Sequence, residues 1–239
     1  MKHTLPGGFL LALEGIDGAG KSVQARAVAA ALAARGLDVV LTREPTDGPW
    51  GRKIRASAAG VRMEPAQELE AFLEDRRQHV RELIRPSLAA GRIVITDRYY
   101  FSTVAYQGAR GFDPAELLRV NEAFAVEPHL LIFLMLSPED ALARIGARDG
   151  RGNAFETLQQ LSRTREIFDG LAKPYLVRLD AARPREELTA AILFSLSCLV
   201  LERLAGQGQL TPGERLEAAL RFHGAAVPPS GVALHEPAV

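Results

Sequence analysis

Short, almost continuous apolar runs recur along the chain, and longer amphipathic segments separate them. Strands that are buried on both faces have this composition, and their alternation with helices predicts a parallel sheet with right-handed crossovers. We therefore expect an α/β fold, a doubly wound sheet of about five parallel strands with helices on both faces. The predicted strands are residues 9–13, 39–41, 93–95, 130–136 and, more weakly, 175–179.

The ends of the helices have signals of their own. Gly36 closes the first helix, because glycine readily ends a helix in the left-handed conformation. An Asp-Pro pair at 113–114 opens another helix that runs through residue 124, and a Ser-Pro pair at 137–138 opens the next. Residues 190–201 form the longest apolar stretch, shorter than the roughly 20 residues of a membrane span, and predict a buried or interface helix.

One arginine lies on the apolar face of a predicted helix. The apolar positions between residues 69 and 84 have helical spacing, and Arg76 is on the same side. Its guanidinium either extends past the apolar face to water or has a function within the protein. The spacing alone leaves both interpretations open.

Two later segments depart from the alternating pattern. Residues 144–152 are rich in glycine, arginine and aspartate, which predicts a mobile loop between two helices. Beyond residue 204 the composition shifts to glycine, glutamine and proline. We expect one domain over 1–204 and a C-terminal extension over 205–239, with one helix at 213–222 and disorder from about residue 224.

The charge balance limits the classes of partner. The 239 residues include 29 Lys and Arg and 29 Asp and Glu, so no overall field attracts nucleic acid or anionic lipid. A single cysteine, Cys198, rules out an internal disulfide, and the first eight residues are too short and polar for a signal peptide. We expect a cytoplasmic protein with no nucleic-acid and no membrane partner, in which phosphate chemistry is local.

The segment after the first predicted strand fits the motif G-x-x-x-x-G-K-[ST], which is typical of P-loop NTPases. Its glycines allow backbone N–H groups to surround a phosphate at the start of a helix. Lys21 is expected to reach the β- and γ-phosphates of ATP, and the Ser22 hydroxyl to bind Mg²⁺; the alternative is a glycine-rich turn without a ligand. The residues of this loop are Gly15, Ile16, Asp17, Gly18, Ala19, Gly20, Lys21 and Ser22.

Asp97 follows the third predicted strand, which is the Walker B position. An aspartate there holds Mg²⁺ directly or through water, and the alternative is a helix-capping aspartate. Its neighbour Arg98 is expected to face the same cleft. Further arginines follow the second strand, Arg43, and lie in the later loop, Arg144, Arg148 and Arg151.

Arginines from several directions are suited to neutralise a phosphoryl group that passes between two anionic substrates. An acceptor phosphate oxygen is already ionised and needs no general base. This agrees with the histidines, since His79, His129 and His223 stand apart from any aspartate-paired motif and are expected to be structural or exposed.

Four motifs together resemble the thymidylate kinase family, bacterial type. Residues 13–24 resemble the opening of these kinases, and the Thr-Arg-Glu-Pro turn at 42–45 follows. Asp-Arg-x-Gln-His at 75–79 and Asp-Arg-Tyr at 97–99, continued at 102–108, complete the order. The resemblance covers residues 9 to about 204 and implies transfer of the ATP γ-phosphoryl group to dTMP, giving dTDP for dTTP synthesis.

The resemblance also implies roles for single residues at the acceptor base. Phe72 matches the aromatic side chain that stacks on thymine, and Arg76 matches the arginine at its carbonyl edge. Thr103 matches a position that reads the base, and Gln107 is its neighbour. Tyr106 matches the ring that crowds a ribose 2′-hydroxyl and thereby favours deoxyribose.

At the phosphates, Asp17 matches the loop acid near the acceptor sugar, and Arg43 and Arg98 match arginines that hold the acceptor phosphate. Arg148 and Arg151 resemble arginines that a lid, here about 144–153, brings over the transferring phosphate. Family members of this type need them because their phosphate loop has no arginine, and the corresponding residue here is Gly18.

The resemblance implies further that the loop at Asp180 packs against adenine and that the protein is a homodimer. The chain departs from the family after Glu44-Pro45, where Asp47 adds a negative charge that is expected to weaken or redirect binding of an anionic acceptor. Three other functions are compatible with these motifs: a kinase for another nucleoside monophosphate, a deoxynucleoside kinase, and a nucleotide-binding regulator without catalytic activity. A deoxynucleoside kinase needs a base, for which Asp17 and Glu44 are the candidates.

Overall fold

A computed structural model describes residues 4–149 and 158–206. Its five strands form one sheet in the order β2-β3-β1-β4-β5, and every neighbouring pair is parallel. The prediction of five parallel strands is confirmed. The strands are β1 (Phe9–Glu14), β2 (Val39–Arg43), β3 (Ile93–Asp97), β4 (Leu130–Met135) and β5 (Leu176–Asp180).

Helices connect the strands, and a π-helical turn, Val80–Ile84, joins α3 to α4. The described helices are α1 (Lys21–Ala34), α2 (Pro49–Ala59), α3 (Pro65–His79), α4 (Arg85–Ala89), α5 (Tyr100–Gly108), α6 (Pro114–Glu122), α7 (Pro138–Asp149), α8 (Leu158–Gly170) and α9 (Arg185–Gly206).

The strand order determines where the polar strand ends lie. All six residues of β1 are buried at the centre of the sheet, whereas the outer strands β2 and β5 are largely half-buried. In the register, Asp97 at the end of β3 is opposite both Leu13 of β1 and Arg43 of β2. The glycine-rich loop, Asp97 and Arg43 therefore lie at one edge, where ligands of such sheets bind.

Two sequence predictions about helix boundaries need correction. The carboxylate of Asp113 accepts a hydrogen bond from the Ala115 N–H, which confirms the predicted start of α6, but this helix ends at Glu122 and not at residue 124. The predicted loop at 144–152 is helical as far as residue 149. Ala141 and Ile145 are buried one turn apart, and this apolar spacing favours the helix more strongly than the glycine content opposes it.

The chain divides into two compact units, Met1–Ile192 and Leu193–Val239, and the boundary falls within α9. The helix predicted over 190–201 is part of α9. No helix among residues 4–149 and 158–206 has the length and apolar composition of a membrane span. The predicted helix at 213–222, like the rest of the chain beyond residue 206, lies outside the described residues.

Candidate active site

The glycine-rich loop turns back on its own lysine. Lys21 is the first residue of α1, and its buried Nζ donates hydrogen bonds to the carbonyl oxygens of Gly15 and Ile16, both at 2.9 Å. Burial, together with the nearby Arg98, lowers the pKa of Lys21 to about 8. The loop thus holds a cation against its own carbonyl groups, where it is available to an entering anion.

Gly18 can carry no side chain in this loop. Its φ is +83°, and a Cβ atom there would lie 2.7 Å from the carbonyl oxygen of Ala141 in α7. The close approach of α7 therefore excludes an arginine at this position. Any further positive charge over the phosphates has to come from another segment.

Ser22 and Asp97 form the pair that the sequence predicted for a metal. The Ser22 hydroxyl donates a hydrogen bond to Oδ2 of Asp97. The other carboxylate oxygen, Oδ1, is buried and has no hydrogen-bond partner among the described residues. A hydroxyl oxygen and a carboxylate oxygen that lacks a partner are hard ligands that fit Mg²⁺.

Arg98 is bonded to the loop acid and packs beside a tyrosine ring. Its backbone has the left-handed φ of 71°, its Nη1 donates to Ser102 Oγ at 3.0 Å, and its Nη2 donates to the Asp17 carboxylate. The Arg98 guanidinium lies 5.1 Å from the Tyr106 ring centre. The Tyr106 hydroxyl accepts from the Asp17 N–H at 3.0 Å and donates to its Oδ2 at 3.2 Å. The structure thus brings these three predicted residues together.

Glu14, the last residue of β1, is a site residue that no sequence motif predicted. Its carboxylate accepts hydrogen bonds from the N–H groups of Tyr99, at 2.8 Å, and Ser102, at 3.0 Å, and from the Ser102 hydroxyl. These N–H groups belong to the N-cap and first turn of α5, so Glu14 caps that helix from 85 residues away. Burial raises the pKa of Glu14 to about 7. An acid at the end of a fully apolar strand was the available signal.

A cavity of about 270 Å³ opens beside Arg98. Glu44 and Glu68, which the sequence analysis did not assign to the acceptor, also line it. Arg43 lies instead in a second cavity with Ser22, Asp97 and Asp47. The predicted acceptor residues that line the first cavity are Asp17, Phe72, Arg76, Arg98, Thr103, Tyr106 and Gln107.

Arg76 is buried within the protein, so the interpretation that its guanidinium extends to water is wrong. Its Nε and Nη2 both donate to Oε2 of Glu44, at 2.9 and 2.6 Å. Nη1 donates to Asn121 Oδ1 at 2.6 Å, and Nη2 donates to Thr103 Oγ1 at 3.1 Å. Of the five N–H groups of a guanidinium, one on Nη1 has no bond to the described residues.

Glu44 connects Arg76 to a histidine. Its Oε1 is 2.9 Å from His79 Nδ1, and His79 Nε2 is 2.8 Å from Thr42 Oγ1. Burial alone raises the pKa of Glu44, but Arg76 and His79 outweigh burial and hold that pKa below its usual value. Contrary to expectation, His79 therefore does not stand alone, but it is buried and structural, which was the other part of that expectation. Since the Glu44 carboxylate already accepts from Arg76 and faces His79, and its pKa is lowered, it is poorly suited to act as a general base.

Arg43, one of the two arginines expected at the acceptor phosphate, is paired with Asp47. Asp47 is the acid at which this chain differs from the family pattern. Nη2 of Arg43 donates to Asp47 Oδ1 at 2.8 Å, and Nη2 of Arg55 donates to the same oxygen at 2.9 Å. The hydrogen bond from Arg43, together with the charges of Arg43 and Arg55, lowers the pKa of Asp47. An entering phosphate therefore competes with Asp47 for Arg43.

The donor side contains the predicted adenine loop. Arg144 of α7 donates from Nη2 to the Ala181 carbonyl at 3.0 Å and from Nη1 to the Gly18 carbonyl at 3.4 Å. The residue after Asp180 is thereby bridged to the glycine-rich loop. The Arg148 side chain and the whole of Arg151 lie outside the described residues, so their predicted lid role stays a prediction.

The chain is similar to known proteins over most of its length. The family model described as thymidylate kinase matches residues 13–192. A protein named thymidylate kinase from Xanthomonas oryzae pv. oryzae (strain PXO99A) is 46% identical over 223 residues, 93% of this chain and 97% of the relative. One from Xylella fastidiosa (strain M12) is 45% identical over 215 residues, covering 85% and 99%, respectively.

Proposed function

The chain belongs to the thymidylate kinase family, and from that premise we propose that it transfers the γ-phosphoryl group of ATP to the 5′-phosphate of dTMP, giving dTDP and ADP. The observation that carries this proposal is the cavity of about 270 Å³ in which the predicted acceptor residues meet Arg98, next to the glycine-rich loop. No other monophosphate is favoured by a specific contact.

On the donor side, the loop N–H groups and Lys21 bind the phosphates of ATP. Lys21 Nζ leaves the carbonyl groups of Gly15 and Ile16 for the β- and γ-phosphates, since an anion is a stronger partner than a neutral carbonyl. The Ala181 backbone, bridged to Gly18 by Arg144, supports the adenine at Asp180. Arg148 and Arg151 supply the charge that Gly18 cannot.

Ser22 and Asp97 would hold Mg²⁺, as the buried Oδ1 of Asp97 suggests. The ion, when bound, neutralises charge on the phosphates during transfer. The protein groups meanwhile fix the positions of both substrates. This positioning supplies much of the rate enhancement in phosphoryl transfer.

On the acceptor side, arginines bind both ends of dTMP, the base and the phosphate. The free Nη1 N–H of Arg76 meets a thymine carbonyl, Phe72 stacks on the ring, and Thr103 and Gln107 complete the base contacts. Tyr106, held against Asp17, narrows the space beside the sugar and disfavours a 2′-hydroxyl.

Arg98 and Arg43 bind the acceptor phosphate, whose ionised oxygen attacks the γ-phosphorus as the bond to the ADP oxygen breaks. Arg98 is held in place by Asp17 and Ser102, whereas Arg43 is released from Asp47. No proton needs to leave the attacking oxygen, so no general base takes part. The bonded state of Glu44 agrees with this mechanism.

The resemblance to the family also supports a cytoplasmic homodimer, and we include both in the proposal. Balanced charge and a single cysteine agree with a reducing compartment. Sedimentation of the full chain at several concentrations tests the dimer. A species with the mass of one chain throughout would contradict it.

An ADP-release assay tests the activity, with Mg-ATP and each of dTMP, dUMP, UMP, CMP, AMP and thymidine. Strong preference for dTMP supports the proposal. Preference for another monophosphate would move the assignment to that nucleotide, and turnover of thymidine would indicate a deoxynucleoside kinase. Silence on all six, with ATP still bound, would indicate the regulator.

A further inference from the structure

A glutamate behind the base pocket holds one amide in a fixed orientation. Glu68, in the first turn of α3, is buried, and its Oε2 accepts a hydrogen bond from Nε2 of Gln107 in α5 at 3.2 Å. Gln107 is also buried and lines the same cavity. Its other amide atom, Oε1, is buried and has no hydrogen-bond partner among the described residues.

The carboxylate of Glu68 permits only one orientation of that amide. An ionised carboxylate accepts hydrogen bonds and donates none. If the amide were reversed, its oxygen would face the carboxylate oxygen, and two acceptors would repel each other. The orientation with Nε2 toward Glu68 therefore follows from the chemistry of the pair, and Oε1 is the atom left for a ligand.

Two arginines lie beside the Glu68 carboxylate inside the protein and place positive charge next to it. Nη1 of Arg110 pairs with its Oε2, and Nε of Arg62 lies 3.6 Å from its Oε1. Both arginines line the cavity together with Glu68 and Gln107. A buried carboxylate requires such partners, since an unpaired one would take up a proton and could then donate to the amide oxygen.

We propose that Glu68 is a positioning residue for base selection, which orients Gln107 so that Oε1 accepts the N3–H of a thymine or uracil ring and rejects cytosine. This inference rests on the proposed function, because it assumes a pyrimidine monophosphate in the cavity. Thymine and uracil carry a hydrogen on N3 between two carbonyl groups. Cytosine has a bare nitrogen acceptor there, so Oε1 of Gln107 meets a second acceptor and the buried groups stay unpaired.

The test is Glu68→Gln, assayed for kcat/KM with dTMP, dUMP and dCMP. A neutral amide at 68 both donates and accepts, so Gln107 is free to reverse and offer its NH₂ group to N3 of cytosine. We expect the preference for dTMP over dCMP to fall about tenfold. The preference for dTMP over dUMP should not change, because both rings carry the N3 hydrogen. Damage to the fold alone would lower all three values together.

Two further variants complete the experiment. Glu68→Asp keeps the charge for Arg62 and Arg110 but withdraws the carboxylate by one methylene, so the same fall is expected if Glu68→Gln does not fold. Glu70→Gln, on the same helix with a side chain that is 61% exposed, should leave both preferences unchanged.

The outcomes separate this inference from the function on which it rests. If the wild type turns over dTMP and the dTMP-to-dCMP preference stays constant in the Glu68 variants, Glu68 does not position Gln107 and only this inference is overturned. If the wild type does not phosphorylate dTMP at all, the proposed function is overturned together with it.

Discussion

The base end and the phosphate end of the acceptor site both use an arginine paired with a carboxylate, but the two pairs differ in burial. At the base end, the side chains of Arg76 and Glu44 are 1% and 4% exposed. At the phosphate end, those of Arg43 and Asp47 are 59% and 76% exposed. Asn121 and other neighbours exclude water from the first pair, whereas water has free access to the second pair.

Under the proposed function, the difference in burial determines what each arginine does when dTMP binds. A buried pair loses much free energy if one partner is removed, so Arg76 keeps its position and offers a fixed donor to the base. An exposed pair is worth little, so Arg43 exchanges Asp47 for a phosphate at small cost. In the proposed mechanism, the buried pair therefore selects the substrate by fixed geometry, and the exposed pair responds to the charge of the substrate.

The largest expected effect is on stability, from Glu44→Ala at the buried pair. Removing this carboxylate leaves the Arg76 charge uncompensated inside the protein, which should lower the free energy of unfolding by about 3 to 5 kcal/mol. Urea denaturation monitored by circular dichroism measures this change. Glu116→Ala removes an exposed carboxylate bonded to Arg119 and should lower the free energy of unfolding far less, because water screens this pair. Equal losses in the two variants would remove the distinction between buried and exposed pairs.

Arg98→Ala tests the other arginine expected at the acceptor phosphate, which lines the same cavity as Arg76. Its guanidinium bonds Asp17 and Ser102 and is expected to hold the acceptor phosphate, so kcat with dTMP should fall about 10²- to 10³-fold. ATP binding, measured by calorimetry, should change little, because the donor phosphates are held by the glycine-rich loop. Near-normal turnover would show that Arg98 does not hold the acceptor.

The pH dependence of stability should report on Glu14. Burial raises the pKa of Glu14 from 4.5 to about 7 in the folded protein. Between these values the folded chain binds more protons than the unfolded chain, so this group makes unfolding easier as the pH rises. The stability of the wild type relative to Glu14→Gln should therefore fall by at least about 1 kcal/mol from pH 4.5 to 7. A difference that is constant with pH would mean that Glu14 titrates normally.

The smallest effect is expected from Asp47→Asn at the exposed pair. The free energy of unfolding should hardly change, because water screens this exposed pair. Because the carboxylate that competes with the phosphate for Arg43 is then absent, KM for dTMP should fall a few-fold, and kcat should hardly change. Glu82→Gln, which removes another exposed and arginine-paired carboxylate, is the control that should leave KM unchanged. A rise in KM would show that Asp47 helps to bind the acceptor.

Local patterns predicted the fold and much of the site. The apolar runs predicted all five strands, since strands buried on both faces need continuous apolar residues. The motif at 15–22 predicted the loop in front of α1, and helical spacing placed Arg76 on the face that meets the cavity. In each case the signal lies within a few residues of the feature that it predicts.

The missed features depend on partners that are distant in the chain. Glu14 caps a helix 85 residues away, and Glu68 bonds Gln107 39 residues away. An acidic residue gives no sign in the sequence of which distant donor it will meet. The buried position of Arg76 has the same origin, because its partner Glu44 lies 32 residues earlier.

Because Glu14 caps α5, the glycine-rich loop cannot be exchanged between related kinases as an independent segment. The last residue before the glycine-rich loop accepts hydrogen bonds from the N–H groups of Tyr99 and Ser102, so one carboxylate links that loop to the segment that carries Arg98. A glycine-rich loop transplanted without Glu14 would leave the N–H groups of Tyr99 and Ser102 without this acceptor. The orientation of Arg98, which precedes them, would then change. A chimera that receives this glycine-rich loop must therefore also receive Glu14, Tyr99 and Ser102, although these residues are far apart in the chain.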